Sequence, residues 1–313
     1  GRTVLGVDTE TGGFTPHRDR LRLIQFGDKN AGWALPWERW SGLAIEVLNR
    51  YDGDIVLHNS QFDMRFITTH AGADLPRWKW EKTWDTMTMA HIIDAKRPKG
   101  LKALAAMHVD SKAVAAQRVL DEGMADNKWT WDTVPLAYDP YWVYAALDPV
   151  LTCHIYDHLK PQITAPALLD LEMATLRIVS NMMLKGARVD LDYSARKSTE
   201  LANFANETRA RLAEEFGVQN ATSIPQVTKA LQEAGVELLP KQTKAGYQAL
   251  DKEVLEAADH PIAEMVLQIK AAEKMVGTYF KNFLGNTDSD DRVHPTIWAL
   301  GARTGRMTIQ DPA

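Results

Sequence analysis

The first half of the chain alternates short apolar runs with amphipathic segments. Four apolar runs predict strands: 3–7, 21–26, 32–35 and 54–57. Amphipathic segments at 43–50 and 61–71 predict helices, the second with Ser60 as its N-cap. From Asp85 to Lys160 the periodicity is helical, with breaks near 98–100 and 135–140. Three strands, a helix, a strand and another helix predict a mixed α/β sheet domain.

Beyond Pro161 and Pro166 the pattern becomes that of long amphipathic helices. Helical spacing of apolar residues recurs in five segments: 168–184, 193–216, 222–235, 250–258 and 262–284. A polar loop at 285–291 then leads into a strand-like run at 293–300. The change of pattern places a domain boundary near 161–167, which divides the chain into an α/β domain at 1–162 and a mainly helical part at 163–313.

Composition narrows the class of protein. The 313 residues are 45% hydrophobic, enough for buried cores, and no apolar run approaches the ~20 residues of a membrane span. We therefore expect no membrane partner and, since the chain leads directly into a strand, no signal peptide. A single cysteine, Cys153, excludes a disulfide framework and favours a reducing, cytoplasmic location. The net charge of −5 argues against binding nucleic acid by bulk positive charge, but not against a local groove.

Four carboxylates and a tyrosine stand at suggestive positions. Asp8 and Glu10 lie two apart at the end of a predicted strand, so they leave the same face of the sheet. Asp63 lies in the first turn of a predicted helix, and Tyr144 and Asp148 are four apart on one helix face. Each alone has an ordinary structural explanation: a solvated strand end, a charge that complements the helix dipole, or a surface hydrogen bond.

Together these residues form three motifs in a fixed order. The motifs are Val7-Asp8-Thr9-Glu10-Thr11, His58-Asn59-Ser60-Gln61-Phe62-Asp63 and Tyr144-Ala145-Ala146-Leu147-Asp148. They resemble those of the DEDD exonuclease superfamily, in the subgroup with tyrosine in its third motif, and are close to the proofreading domain of bacterial family A DNA polymerases. Trp84-Asp85-Thr86-Met87 is similar to the Asp-Thr segment of that family. The resemblance implies an α/β exonuclease domain with a ribonuclease H-like mixed sheet and flanking helices.

The chemistry of this superfamily suits carboxylates. Phosphodiester hydrolysis at neutral pH needs a hydroxide and a stabilised leaving oxygen, and two Mg²⁺ ions about 3.5–4 Å apart supply both. Mg²⁺ prefers hard oxygen ligands, and we expect Mn²⁺ to substitute for it. The resemblance puts Asp8, Glu10 and Asp148 around the first ion, with Asp8 bridging to a second that Asp63 holds through water. Tyr144 would orient the attacking water, because a phenol of pKa ≈ 10 is a poor general base at pH 7.

The motif match also assigns substrate-binding residues to the first half. Phe14 stands six residues after Asp8, where the family places an apolar wedge against the terminal bases, although a half-buried loop aromatic is an equal alternative. Asn59 could bind the substrate backbone or form an Asx turn, and Thr11, which closes the first motif, is assigned to substrate binding. Pro149 departs from the family pattern, and we expect a kink at Asp148 or a new helix that starts at Pro149.

The second half resembles the linker helix, thumb and first residues of the palm of family A polymerases. Lys274 with Thr278-Tyr279 is similar to the far end of the thumb, and Arg303-Thr304-Gly305-Arg306 to the start of the palm, although Thr-Gly-Arg alone is a common turn. Lys274 and Arg306 are assigned to the duplex backbone, whereas Lys244 and most other lysines are better explained as solvated helix faces. Without the rest of the palm and the fingers, this sequence is expected to proofread but not to polymerise alone.

The predicted function is therefore that of the 3′–5′ proofreading exonuclease of a DNA-directed DNA polymerase. Its partners would be a single-stranded 3′ end of DNA in the exonuclease site and a primer–template duplex at the thumb. We expect a monomer in the cytoplasm of a bacterium or a phage-infected host. Two alternatives remain at this point: a stand-alone exoribonuclease that resembles ribonuclease D, and a catalytically silent exonuclease fold that serves as a DNA-binding scaffold.

Overall fold

The computed structural model describes residues 4–75, 77–243, 246 and 248–310. The chain forms two compact units. The first comprises the residues up to Lys185 together with Ile297–Thr308, and the second comprises Gly186–Thr296 and the residues from Ile309 onward. Lys244, named above among the lysines, lies outside the described residues. The division into an exonuclease domain at 1–162 and polymerase elements at 163–313 stays a prediction.

A five-stranded mixed sheet forms the centre of the first unit. Its strands are β1 (Val4–Thr11), β2 (Leu21–Gly27), β3 (Gly32–Pro36), β4 (Asp54–Leu57) and β5 (Thr83–Asp85), in the order β3-β2-β1-β4-β5. The pairs β1–β2 and β2–β3 are antiparallel, whereas β1–β4 and β4–β5 are parallel. The four predicted strands are confirmed. The fifth is three residues long, too short to produce a readable periodicity.

In the described part of the first unit, seven α-helices accompany the sheet: α1 (Trp37–Arg50), α2 (Ser60–Ala71), α3 (Thr86–Ile93), α4 (Leu101–His108), α5 (Ala115–Asn127), α6 (Asp139–Leu159) and α7 (Pro166–Lys185). Two predicted helix starts are wrong. Helix α1 begins at Trp37 rather than at residue 43, because Trp37 itself is buried in the core. Ser60 is the first helical residue of α2 rather than its cap, because Asn59 occupies the N-cap position in the left-handed conformation at φ 65°.

Alternation along β1 gives the sheet two different faces. Val7 packs into one core with Leu48 of α1 and Phe66 of α2. On the other face, Leu23 of β2 packs with Tyr141 and Ala145 of α6. Glu10 pairs with Leu23 across the ladder and Asp8 pairs with Gln25, so both acidic side chains lie on the α6 face.

Glycines allow α6 to approach the sheet at backbone distance. A Cβ on Gly6 would lie 2.4 Å from the Pro149 carbonyl oxygen, and one on Gly32 would lie 1.8 Å from that of Ala146. Only a residue without a side chain fits either position. The helix that carries Tyr144 and Asp148 is therefore pressed onto the strand that carries Asp8 and Glu10.

Helix α6 runs continuously through Pro149, so no new helix begins at this residue, and the alternative, a kink at Asp148, stays a prediction. The Pro149 ring faces the sheet, where its carbons lie 3.2 Å from the position of a Cβ on Gly27. Packing against the sheet holds the helix together where the proline removes one backbone donor. Asp148 is consequently presented from the middle of a helix and is buried.

The second unit is mainly helical. Its helices are α8 (Leu191–Phe216), α9 (Ile224–Glu233), α10 (Lys252–Ala257), α11 (Pro261–Lys274) and α12 (Lys281–Gly285), with a π-helical turn at Met275–Phe280. Val227, Leu231 and Val266 belong to its core. The predicted helix at 262–284 is thus interrupted by the π-helical turn, and the helix predicted at 250–258 is shorter than expected.

Among the residues described after α7, four short strands occur: β6 (Ala187–Arg188), β7 (Arg292–Val293), β8 (Thr296–Trp298) and β9 (Thr308–Gln310). The single strand predicted at 293–300 is divided into β7 and β8, since Pro295 lies between them and cannot donate to a ladder. No helix in the described ranges has the length and apolar character needed to cross a membrane. The predicted fold class, an α/β domain with flanking helices followed by a mainly helical segment, is confirmed.

Candidate active site

Three carboxylates from two elements converge at the end of β1. Asp8, Glu10 and Asp148 each place one oxygen within 4.8 Å of the others. Glu10 and Asp148 are buried and Asp8 is half-buried. The strand period brings the first two to one face, and the close approach of α6 brings the third. The structure therefore joins residues that are about 140 positions apart in the chain.

Asp63 reaches the site from the opposite face of the sheet. Thr9 lies between the two acids of β1, so its side chain faces α2, and its Oγ1 donates a hydrogen bond of 2.6 Å to Asp63 Oδ1. Asp63 is buried but is not one of the three clustered carboxylates. It is linked to the cluster through Thr9 and through repulsion from Asp8, which helps to raise its pKa.

The carboxylates of the site are buried, and the positive charge near them is too small to offset the cost of their desolvation. Desolvation raises the pKa of Asp8 to about 7 and, together with repulsion from Asp8, raises the pKa values of Glu10 and Asp63 well above their ordinary range. A site of this kind gains from any cation that neutralises it. Hard oxygen donors in a close group suit Mg²⁺ or Mn²⁺ rather than zinc or copper.

The surroundings of Asp8 also suit a hydrated cation. Gln25, its partner across the ladder, is fully buried, and neither atom of its amide has a hydrogen-bond partner among the described residues. Buried amides are rarely left unpaired in folded proteins, and ordered water or an ion often explains those that are. The residues present therefore fit a divalent ion that carries water.

Lys102, which the sequence analysis missed, completes the site. Its Nζ forms an ion pair with Asp148 Oδ1 and lies 4.3 Å from the centre of the Tyr144 ring. Desolvation lowers the pKa of Lys102 to about 8, an effect that the charges of Asp8 and Glu10 oppose. One sequence signal was available: Lys102 closely follows the break near 98–100, and a lysine at the start of a helical segment is disfavoured by the helix dipole.

Tyr144 stands beside this ion pair on α6. Its ring is half-buried, and its centre lies 5.7 Å from that of Trp131. Burial, with repulsion from Glu10 and Asp8, raises the pKa of the Tyr144 phenol above its ordinary value. The hydroxyl therefore stays protonated at neutral pH and can donate a hydrogen bond, but cannot act as a base.

Three of the residues predicted to bind substrate lie near the ends of β1 and β4: Thr11 is the last residue of β1, Phe14 follows it, and Asn59 is the N-cap of α2. The Phe14 side chain is 81% exposed, with the centre of its ring 6.4 Å from that of Phe62. Thr11 Oγ1 donates a hydrogen bond of 2.6 Å to the Gly13 carbonyl oxygen and so supports the turn that precedes Phe14. The amide oxygen of Asn59 is buried without a partner in the described part of the chain.

Asp85, in the Asp-Thr segment, organises the helices rather than the cluster. Its carboxylate accepts hydrogen bonds from the backbone N–H groups of Ser60, at 2.5 Å, and Thr88, at 2.7 Å. One buried side chain therefore ties the start of α2, which carries Asp63, to the start of α3.

Lys274 and Arg306, predicted to contact duplex phosphates, are each exposed. Lys274 is the last residue of α11 in the second unit, and Arg306 lies in the turn before β9, within the part of the first unit formed by Ile297–Thr308. Their assignment to DNA stays a prediction.

The fold and the carboxylate cluster define the class of the first unit as an α/β exonuclease-type domain. Residues 1–164 match the family model described as 3′–5′ exonuclease, and residues 191–313 match the one described as DNA polymerase family A. The chain belongs to DNA polymerase family A, with the exonuclease domain of that family in its first half. The resemblance inferred from the motifs is confirmed.

Relatives of known name agree with this assignment. The chain is 29% identical to the DNA polymerase of Mycobacterium phage D29, an alignment that covers 97% of this chain and 54% of the relative. It is 25% identical to DNA polymerase I of Treponema pallidum, over 82% of this chain and 26% of that protein. The chain thus spans about half the length of the phage relative and a smaller share of the bacterial one.

A solved structure resembles the fold. The POL domain of Pol1 from M. smegmatis, in complex with DNA primer-template and dNTP, matches 99% of this chain and 52% of that chain with a TM-score of 0.75. At 18% sequence identity, this likeness shows the fold alone.

Proposed function

We propose that the first half of this chain is a 3′–5′ exonuclease that proofreads for a DNA-directed DNA polymerase. It would hydrolyse the terminal phosphodiester of a single-stranded 3′ end and release a deoxynucleoside monophosphate. The observation that carries the proposal is the convergence of Asp8, Glu10 and Asp148 within 4.8 Å of one another, with Tyr144 one helical turn before Asp148 on α6. Membership of the polymerase family supports DNA rather than RNA as the substrate.

Asp8, Glu10 and Asp148 would hold one Mg²⁺ ion, and Asp8 with Asp63 a second. When bound, the pair of ions supplies a hydroxide nucleophile and stabilises the leaving oxygen. The protein contributes the placement of the ligands. Thr9 fixes one carboxylate of the second set, while the close contact between α6 and β1 fixes the first set.

Tyr144 would orient the attacking water, because its phenol can donate or accept a hydrogen bond without losing its proton. Phe14 offers an exposed face on which a terminal base can stack, an interaction that tolerates any base and is worth about 1–3 kcal/mol. Asn59 and Thr11 would bind the sugar–phosphate backbone and support the loop, respectively. This division of roles suits an enzyme that must remove any nucleotide.

The second half would act as the thumb of the polymerase. Lys274, and Arg306 near the end of the chain, would contact phosphates of a primer–template duplex. The M. smegmatis structure, which is described as a complex with DNA primer-template, supports a duplex partner for this fold. We further propose that the protein is a monomer.

The test is digestion of a primer with a mismatched 3′ end, with Mg²⁺ and then with EDTA. Native protein is compared with Asp8→Ala and with Asp126→Ala, a control that removes an exposed carboxylate from α5. We expect nucleoside monophosphates to be released from the 3′ end by the native and control proteins, only with the metal, and not by Asp8→Ala. Degradation from the 5′ end, or undiminished activity of Asp8→Ala, would refute the proposal.

A parallel digestion of single-stranded RNA tests the ribonuclease D-like alternative, which predicts faster cleavage of RNA than of DNA. Titration with Mg²⁺ and Mn²⁺ tests the silent-scaffold alternative, which predicts no cleavage at any metal concentration. Each alternative is therefore distinguished from the proposed function by one result: faster cleavage of RNA, or no cleavage at all.

A further inference from the structure

Lys102 forms an ion pair with one member of the carboxylate cluster, and its surroundings show that its position is specific. The Lys102 side chain is 13% exposed and reaches Asp148 from the first turn of α4. An ammonium in the first turn of a helix is repelled by the helix dipole, and its burial adds a desolvation cost. Its Coulomb partners in the site are Asp148, Asp8 and Glu10, the same three carboxylates that form the candidate metal cluster.

The contact with Asp148 conflicts with metal binding. Asp148 Oδ1 accepts a hydrogen bond from the Lys102 ammonium. Asp148 is also one of the three residues whose oxygens could hold an ion. A divalent cation and an ammonium on the same carboxylate repel each other strongly at such distances in a buried site. We therefore expect the ammonium to withdraw from Asp148 when an ion binds the cluster.

The backbone position of Lys102 limits how far its ammonium can move from Asp148. Its Cα belongs to α4, and its ammonium lies over the face of the Tyr144 ring, 4.3 Å from the ring centre. A released ammonium thus stays beside the residue that, in the proposed function, orients the attack on the scissile phosphate. Charge develops on the phosphate oxygens during that attack, and a preorganised cation stabilises it.

We propose that Lys102 is a further catalytic residue, which holds Asp148 in the metal-free protein and contacts the scissile phosphate when metal and DNA are bound. The proposal rests on the proposed exonuclease function, but its first half concerns metal binding alone. Two consequences of opposite sign follow. Removal of the ammonium strengthens metal binding, because a competitor is lost, and weakens catalysis, because a phosphate contact is lost.

The experiment compares native protein with Lys102→Met, Lys102→Arg and the control Lys96→Met, which removes an exposed lysine from the preceding loop. Calorimetric titration with Mn²⁺ alone, without DNA, measures the first consequence. We expect Lys102→Met to bind Mn²⁺ about tenfold more tightly, whereas a merely supporting residue would weaken metal binding about 10–100-fold when lost. Lys96→Met should match the native protein.

Single-turnover release of the 3′ nucleotide from a single-stranded DNA, at saturating Mg²⁺, measures the second consequence. We expect Lys102→Met to be slower by about 10²-fold, in the range seen when one charge-stabilising group is removed, and Lys102→Arg to recover part of the rate. Lys102→Gln carries the same expectations as Lys102→Met if that variant does not fold.

Weaker or unchanged Mn²⁺ binding by Lys102→Met overturns the proposal, as does a native rate of cleavage at saturating metal. Failure of the native protein to cleave DNA would refute the proposed function instead. In that case the Mn²⁺ titration still decides whether Lys102 competes with metal for Asp148.

Discussion

Replacing Gly6 with alanine should disturb the carboxylate cluster without altering any of its members. The added Cβ would lie 2.4 Å from the Pro149 carbonyl oxygen and 2.9 Å from Cys153 Sγ, where an ordinary contact begins at 3.4 Å. To relieve the first contact, α6 must withdraw from β1 by about 1 Å, the difference between 3.4 Å and 2.4 Å. Overpacking of this kind costs about 1–3 kcal/mol of the free energy of unfolding.

The same displacement should weaken metal binding. Asp148 precedes Pro149 on α6, so a shift of the helix carries its carboxylate away from Asp8 and Glu10. Groups in a functional cluster must be held to within about 0.5 Å, and the expected shift exceeds that limit. We therefore expect Gly6→Ala to bind Mn²⁺ at least about tenfold more weakly than the native protein.

Urea unfolding in EDTA and calorimetric titration with Mn²⁺ measure the two effects. The matched control is Gly42→Ala in α1, where an added Cβ meets open space in the described part of the chain. This control should gain about 0.5–1 kcal/mol, as alanine does over glycine within a helix, and bind metal normally. If Gly6→Ala is as stable as the native protein, or is destabilised but binds Mn²⁺ with native affinity, the close approach of α6 does not position the cluster.

Three further predictions concern single features of the site. Thr9→Val removes the donor to buried Asp63 and should lower the free energy of unfolding in EDTA by about 1–3 kcal/mol in urea titrations, while Thr9→Ser should not; equal losses would contradict this reasoning. Because burial raises the pKa of Asp8 to about 7, the metal-free protein should lose stability as pH rises from about 4 to 7. Over the same range Mn²⁺ affinity should rise by up to about tenfold per pH unit for each proton displaced, and a flat calorimetric profile would exclude proton competition. Phe14→Ala should leave thermal stability unchanged but weaken binding of a single-stranded oligonucleotide by about 1–3 kcal/mol in an anisotropy titration with EDTA; unaltered affinity would remove Phe14 from the substrate site.

The strands and the acids on them were predictable because they depend on local periodicity. A run such as Val4–Val7 that ends in Asp8 and Glu10 shows a strand and the face of its acids without reference to the rest of the chain. The four-residue spacing of Tyr144 and Asp148 likewise shows one helix face. The fixed order of the three motifs along the chain then linked these segments to one family.

Other features depended on contacts between distant segments and could not be predicted in this way. Pro149 looked like a helix break because the rule for proline considers only neighbouring residues, whereas packing on Gly27 keeps α6 continuous. Ser60 looked like a cap because its side chain has the right chemistry, but its N–H is bound by Asp85, 25 residues later.

The sequence by itself therefore determined the inventory of this protein: which residues carry carboxylates, which elements hold them and to which family they belong. The tertiary structure alone decided that α6 lies close enough to β1 to bring Asp148 to Asp8 and Glu10, and that Lys102 of α4 pairs with Asp148. The physical reason is that periodicity reports which face of a single element is buried. The distance between two elements instead depends on the volumes of the side chains on both of them, and at Gly6 and Gly32 no side chain is present.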